Sequence, residues 1–421
     1  MNDVLLTLNA GSSSIKFAVF SPAESELEQL ASGQIEGLGA RAIFSVQSSS
    51  GKMHEFEFDQ AAGRIDHAVA ARAILGWLNE THLDKRVVAV GHRVVHGGVE
   101  FTAPTVVNEV VLTKLKHLIP LAPLHQPHNI AGIEAATHAF AGAVQVACFD
   151  TAFHRSHPFV ADTFALPRRY YDEGIRRYGF HGLSYEFISR RLRSVAPALS
   201  NGRIIVAHLG NGASMCAIRD GKSIASTMGF TALDGLPMGT RCGQLDPGVV
   251  LYFMAEKGMN AAAISHLLYY DSGLKGLSGI SQDMRELEAA DSQPARDAIA
   301  YFVARIRREI GSLATTIGGI DAIVFTGGIG ENSVHIREAA LSDMGWIGID
   351  IDISANKKGA QVISSAGSNV TVFVIKTDEE RMIAEHTAQV AGLLETDDKD
   401  RPVSPNRVPV QSSAWLVDWS Q

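Results

Sequence analysis

Two stretches far apart in the chain, LLTLNAGSSSIKFAVF at residues 5–20 and IIVAHLGNGASMCAI at residues 204–218, share one pattern. Each is an apolar strand, a turn of glycine and small polar residues, and an apolar strand returning. Leu8 corresponds to Leu209 and Gly11 to Gly212. A hairpin tip built from small residues lets backbone N–H groups approach an anion, as a phosphate cradle requires. Two such hairpins predict two related lobes facing each other across a nucleotide. Either hairpin alone is better explained as an ordinary strand–turn–strand unit.

A chain of 421 residues exceeds a typical single core, so two or three domains are expected. Hydrophobic residues make up 46% and charged residues 19%, a globular balance. The net charge of −8 argues against a general nucleic-acid binder, so any positive potential must be local. Met1-Asn2-Asp3 runs straight into a strand pattern, and no apolar run reaches membrane-spanning length. Cys148, Cys216 and Cys242 lack metal spacing and read as buried free thiols. The expectation is a cytoplasmic enzyme with no membrane and no nucleic-acid partner.

Along the chain, polar sequence follows the first hairpin to about Asp66, then a helical stretch covers Ala68 to Leu78. Val87 to Val95 reads as a buried strand, Asn129 to Phe140 as a helix, and VQVACF as a strand delivering Asp150 at its carboxyl end. Functional groups of open α/β sheets collect at such ends. In the second half, Asp220-Gly221 turns a further hairpin and a glycine-rich loop runs from Gly235 to Gly248. Ile299, Phe302, Val303, Ile306, Ile310, Leu313 and Ile317 form a helical apolar stripe over Ala298–Ile317. Strand AIVF enters Thr326-Gly327-Gly328-Ile329-Gly330-Glu331-Asn332, and strand VTVFVI leads through Glu379 and Glu380 into a helix to about Leu394. Thr396 to Gln421 is polar and proline-containing, read as a poorly ordered extension or a segment packed on the surface.

The usual phosphate-loop, dinucleotide, zinc and paired-cysteine motifs are missing. Phosphate binding would have to use the paired hairpins, with Lys16 beside Ser12 and Ser14 as a point charge. Arg93 stands in an otherwise apolar strand, and Arg241 is flanked by small residues that leave room for a ligand. His181 lies in YGFHG, and Asp150 could cap the following segment or bind Mg²⁺. Each of these, alone, has a structural explanation of equal weight.

Together they resemble a known family. LTLNAGSSSIKF, GHRVVHGG, the Leu124-His125 element of APLHQPHN, FDTAFH, YGFHGLSYEF, HLGNGASM, MGTRCGQLDPG, SGLKGLSGISQDMREL, FTGGIGENS and TDEER are similar, in order, to the motifs of the acetate kinase family. They span about residues 4 to 395. The resemblance implies an α/β fold of two duplicated ribonuclease H-like domains, of the sugar-kinase, actin and Hsp70 type, with a nucleotide cleft between them. It divides the chain into residues 1–150, completed by a C-terminal helix at about 381–395, a nucleotide-binding domain 151–380, and a tail 396–421. It implies a homodimer using ATP or ADP, acetate or acetyl phosphate, and Mg²⁺, with Mn²⁺ as the alternative ion.

Carried over by position, Asn9 and Glu379 match the metal site, and Ser12, Ser14 and Lys16 the first phosphate loop. Arg93 matches the substrate-carboxylate site, with Val95, Leu124 and Phe180 in a small apolar pocket. Asp150, His181 and Arg241 match the catalytic positions. His208, Leu209, Gly210, Asn211 and Gly212 match the second phosphate loop. Asp283, Met284 and Arg285, with Gly328, Ile329, Gly330, Glu331 and Asn332, match the residues around the adenosine. A carboxylate acceptor is already ionised at neutral pH and needs no general base. Asp150 is therefore expected to organise metal water and the phosphoryl group, although the family position is commonly labelled an acid/base.

The chain departs from the family pattern at Ala232, where proline is usual, which would widen the acyl pocket and admit propionate. Gln126 and His128 replace the usual Asn and Pro, and Asp378 replaces an Asn. Propionate kinase is the nearest alternative. A nucleotide-gated, non-catalytic protein is a more distant one, since gating alone needs no carboxylate site.

Overall fold

The computed structural model describes residues 2–11, 13–23, 26–38, 41–58, 65–81 and 85–394. Ser12 and the tail 396–421 lie outside the described residues. The first sheet contains β1 (Asn2–Ala10), β2 (Ser14–Ala23), β3 (Glu26–Glu36), β4 (Ile43–Ser48), β5 (Met53–Glu57), β6 (Lys85–Val94), β7 (Thr105–Val106) and β8 (Val144–Phe149). The second contains β9 (Arg203–Leu209), β10 (Ala213–Arg219), β11 (Lys222–Ser226), β12 (Ala322–Thr326) and β13 (Thr371–Val374). Their orders are β5-β4-β3-β2-β1-β6-β8-β7 and β11-β10-β9-β12-β13.

The repeat seen in the sequence extends through the topology. The run β3-β2-β1-β6-β8 is antiparallel, antiparallel, parallel, parallel, and β11-β10-β9-β12-β13 has the same succession. Strand alternation gives each sheet two apolar faces. Val4, Leu6 and Leu8 of β1 pack with Ile74 and Trp77 of helix His67–Thr81 and Ala136 of helix Gln126–Ala139. Leu5 faces the other way, onto Ala384 and Ala388 of helix Glu379–Val390. In β9, Ile205, Ala207 and Leu209 face helix Gln293–Ile317, while Ile204 and Val206 face helix Gly182–Val195.

Helix Gln293–Ile317 begins earlier than its apolar stripe suggests. Ser292 caps it by accepting from the Ala295 N–H, Pro294 sits in its first turn, and Gly318 closes it in the left-handed region. Helix Glu379–Val390 stops short of Leu394, with Gly392 at φ 70° beyond it. The Asp220-Gly221 turn has φ of 52° and 71°, the two positive values of a type I′ hairpin. All three cysteines are free, Cys148 and Cys216 buried. The glycine-rich loop ends where helix Pro247–Ala255 begins, so Gly248 is helical and Asp246 caps it. The polar stretch before Asp66 is a correction: it holds three strands, β3 to β5. β3 buries only every fourth residue, Leu27, Ala31 and Ile35, β4 only Phe44 and Val46, and β5 none, so the apolar signal is diluted by charge.

Candidate active site

The carboxyl ends of β6 and β8 lie side by side, with Arg93 opposite Cys148 and the Asp150 N–H donating to the Val94 carbonyl at 3.0 Å. Arg93 and Asp150 therefore meet. Arg93 Nε donates to Asp150 Oδ1 at 3.0 Å and Nη2 to Oδ2 at 2.7 Å. Arg93 Nη1 faces Glu379 Oε2 at 3.6 Å. Burial raises the Asp150 carboxyl above its ordinary range, and the Arg93 charge works against that rise. Burial alone would lower the Arg93 guanidinium, and Asp150 and Glu379 more than reverse it.

His181 caps helix Gly182–Val195 with φ 57° and ψ 25°. Its Nδ1 lies 2.8 Å from Ser214 Oγ, and its ring stacks on His208 with centroids 4.4 Å apart. Burial, with His208, Arg93 and Arg241 nearby, holds His181 well below the ordinary imidazole value, so it is neutral. His208 Nδ1 is 2.8 Å from Ser184 Oγ. The tip glycine Gly212 locates Arg241: a Cβ added there would sit 3.0 Å from Arg241 Nη2 and 3.3 Å from His181 Nε2. Arg241 Nη1 donates to the Ala232 carbonyl at 2.7 Å. Among the described residues no carboxylate lies within ion-pair distance of Arg241. A desolvated cation without a counter-ion, beside a glycine tip, suits an incoming anion.

Next to this group is a cavity of about 10 Å³, roughly the space of one water. Val95, Leu124, Phe180 and Ala232 line it, joined by His125 and Tyr269. All four residues expected for the acyl pocket thus come together. His125, which reading the sequence passed over as a ligand, is lowered to about 4 by burial and by the Arg241 and Arg93 charges. One histidine among sixteen gave no signal of its own. Two departures have structural jobs. Gln126 is buried and bonds the His96 N–H and carbonyl at 3.3 and 3.1 Å. Asp378 caps the last helix through the Arg381 N–H at 2.9 Å.

At the first tip, Lys16 stands opposite Asn9 in the β1–β2 register, and the Gly11 N–H closes on the Ser14 carbonyl at 2.8 Å. Burial would raise Glu379, but Arg93, His208 and Lys16 hold it below its ordinary value, so it stays ionised. An amide oxygen and a carboxylate are hard donors that fit Mg²⁺. Among the described residues no cluster of three or more acidic, histidine or cysteine side chains could form a cage. Few protein ligands suit an ion that keeps its waters and takes substrate phosphates.

The Gly327–Asn332 turn abuts the second tip: a Cβ on Gly327 would lie 2.8 Å from the Leu209 carbonyl. Ile329 and Gly330 lie in this turn, and Asn332 Nδ2 donates to the Gly328 carbonyl at 2.8 Å. Glu331 is turned inward, accepting from the Gly327 and Thr377 N–H groups at 2.8 and 3.1 Å, so it staples the turn. Buried Arg337 braces the same turn through the Gly330 and Glu331 carbonyls, both at 2.9 Å, a role not seen in the sequence. Asp283 caps helix Met284–Ala289 and pairs with the exposed Arg285 at 2.6 Å, while Met284 is buried. Gly210 and Asn211 complete the second tip, Asn211 accepting from the Gly239 N–H at 3.1 Å.

Twin sheets of one order, with glycine-tipped hairpins at a cationic cleft, define a duplicated α/β phosphotransferase of the actin and Hsp70 type. The Acetokinase family model matches residues 4–385, and the chain belongs to that family. It is 62% identical to the acetate kinase of Methylocella silvestris over 92% of this chain and 98% of that one. It is 51% identical to the acetate kinase of Nitrobacter hamburgensis over 91% and 95%. The crystal structure of Porphyromonas gingivalis acetate kinase superposes with a TM-score of 0.83 at 38% identity, covering 92% and 99%. That of a propionate kinase from Francisella tularensis gives 0.85 at 37% identity, covering 91% and 99%.

Proposed function

We propose that this protein catalyses reversible phosphoryl transfer from ATP to the carboxylate of acetate, giving acetyl phosphate and ADP by direct in-line displacement. The observation that carries the reading is the meeting of Arg241, without a counter-ion among the described residues, with neutral His181 at the Gly212 tip, beside a one-water cavity. The transferred group spreads charge over its equatorial oxygens, and catalysis is positioning plus charge stabilisation. Arg241 supplies the charge and His181 a neutral hydrogen-bonding group. Val95, Leu124, Phe180 and Ala232 hold the methyl end, with His125 at its edge. Arg93, through Nη1, which faces Glu379 at 3.6 Å, would meet the carboxylate.

Both carboxylate oxygens of Asp150 are engaged by Arg93. An ionised acceptor has no proton to give, so the reaction asks for no base. Asp150 therefore orients Arg93 and organises the phosphoryl site. Asn9 and Glu379 would hold Mg²⁺, which when bound offsets phosphate charge; Mn²⁺ is the alternative ion. Ser12, Ser14 and Lys16, with His208 to Gly212, would cradle phosphates. Asp283, Met284 and Arg285, with Gly328 to Asn332, would flank the adenosine.

Propionate is the second reading, favoured by Ala232 lining the pocket. Detecting acetyl phosphate as hydroxamate from ATP and acetate tests the activity; no product from any short-chain acid would leave only nucleotide gating. Ranking kcat/KM for acetate, propionate and butyrate tests the acceptor. We further read residues 1–150 with the last helix as one domain and 151–380 as the other. We read the enzyme as cytoplasmic; among the described residues no helix is long and apolar enough to cross a membrane. The exposed Leu251, Tyr252 and Met254 of helix Pro247–Ala255 are apolar surface that a second copy would cover. Light scattering of the parent and Leu251→Glu tests that dimer, which the substitution should weaken.

A further inference from the structure

Behind the cleft lies a buried polar chain that the transfer chemistry leaves unused. His154 ends the short turn Ala152–His154 and is fully buried. Its Nδ1 is 2.8 Å from Ser223 Oγ and its Nε2 2.9 Å from the Phe180 carbonyl oxygen. His157 Nε2 lies 2.7 Å from the same Ser223 hydroxyl. Protons follow by elimination. A carbonyl only accepts, so His154 Nε2 carries the hydrogen and Nδ1 is bare. Ser223 must then donate to His154 Nδ1, and its oxygen accepts from His157 Nε2–H. That leaves His157 Nδ1 without a proton to give, and it is buried with no hydrogen-bond partner among the described residues. Burial holds His154 down to about 3, so the ring stays neutral.

The chain of donors ends on the peptide immediately before His181. His181 has φ 57°, a left-handed conformation that is strained for a non-glycine residue and persists where its surroundings over-determine it. Gly179, at φ 74°, lies directly on the imidazole: a Cβ there would be 2.6 Å from the His154 ring. On the other side of His181, the Gly182 N–H donates to the Asp150 carbonyl at 2.8 Å. His181 is thus pinned from both flanks.

We infer that His154 is a positioning residue for phosphoryl transfer. Oriented by Ser223 and His157, it donates to the Phe180 carbonyl and holds His181 in its left-handed conformation against the Gly212 tip. The inference rests on the reading of His181 as a group facing the transferred phosphoryl. It ties β11, at the edge of the second sheet, to the catalytic turn.

The test measures kcat and KM, on folded protein verified by circular dichroism, for His154→Ala, His154→Gln, Ser223→Ala and His181→Ala. His154→Ala should lower kcat about 10- to 100-fold, with both KM values within about threefold of the parent. His154→Gln, whose amide N–H replaces the donor, should recover most of the loss. Ser223→Ala, which frees the tautomer, should lower kcat less and add nothing to His154→Ala. A folded His154→Ala with parental kcat, or a loss that glutamine does not recover, overturns the inference. If the alanine variant fails to fold, Ser223→Ala decides, and an unchanged kcat there overturns it. If His181→Ala itself keeps parental kcat, the reading of His181 falls, a separate result.

Discussion

Arg93 gives two nitrogens to Asp150, and its third faces Glu379, so its removal strands a carboxylate that is 2% exposed. Arg93→Ala should raise the KM for acetate and also destabilise the fold by about 3–5 kcal/mol, the usual cost of breaking a buried pair. Arg241→Ala loses one hydrogen bond, to a carbonyl, so its stability should change by only about 1 kcal/mol while kcat falls. Urea unfolding beside steady-state kinetics separates the two; equal stability losses would contradict this assignment. At the pocket, Ala232→Pro should shift the acetate-to-propionate ratio of kcat/KM toward acetate, within about 1–3 kcal/mol. An unchanged ratio would show that Ala232 does not set the acyl limit. The pocket residues were legible because their motifs are long and ordered. The grip of Arg93 on Asp150 was not, since it depends on β6 lying beside β8, which no local pattern reveals.

The two hairpin tips were the most legible elements, because the same small-residue turn between apolar strands occurs twice in the chain. Gly212→Ala tests the second tip. The added Cβ would meet the far end of Arg241 and the edge of His181 rather than backbone, so the fold should survive with a melting temperature close to the parent's. Turnover should drop at least about tenfold, because both groups must shift. A variant with full kcat would remove the tip from the site. Strands β3 to β5 were illegible for the opposite reason: β3 buries only every fourth residue, β4 only Phe44 and Val46, and β5 none. Glu331 was legible as a motif residue but not as a staple, because its partners at Gly327 and Thr377 are brought together only by the parallel β12–β13 pair.

At the scale of the molecule, the last helix fastens onto helix Gly182–Val195 through Glu186, whose Oε2 is 2.9 Å from His386 Nε2. Burial would raise Glu186, but His386 and Arg190 bring it down from 4.5 to about 2. A depressed carboxyl contributes stability above its unfolded pKa and loses it as pH falls through the folded value. The contribution should therefore disappear between about pH 4.5 and pH 2. Glu186→Gln should flatten acid unfolding in that window; an identical acid profile would count against the pair. The duplication was readable from the hairpins, whereas the return of the last helix to the first sheet was supplied by resemblance, not by any periodicity. That return has a consequence for biosynthesis. Leu5, Phe20 and Ala89 share one buried cluster with Ala384 and Ala388 of the last helix. The ribosome must therefore release nearly the whole polypeptide before the earliest sheet is sealed, a delay of roughly ten to fifty seconds after β8 at about 5–20 residues per second. Nascent chains arrested before Glu379 should remain open to protease across β1 and β6, and chains arrested well beyond Val390 should resist it.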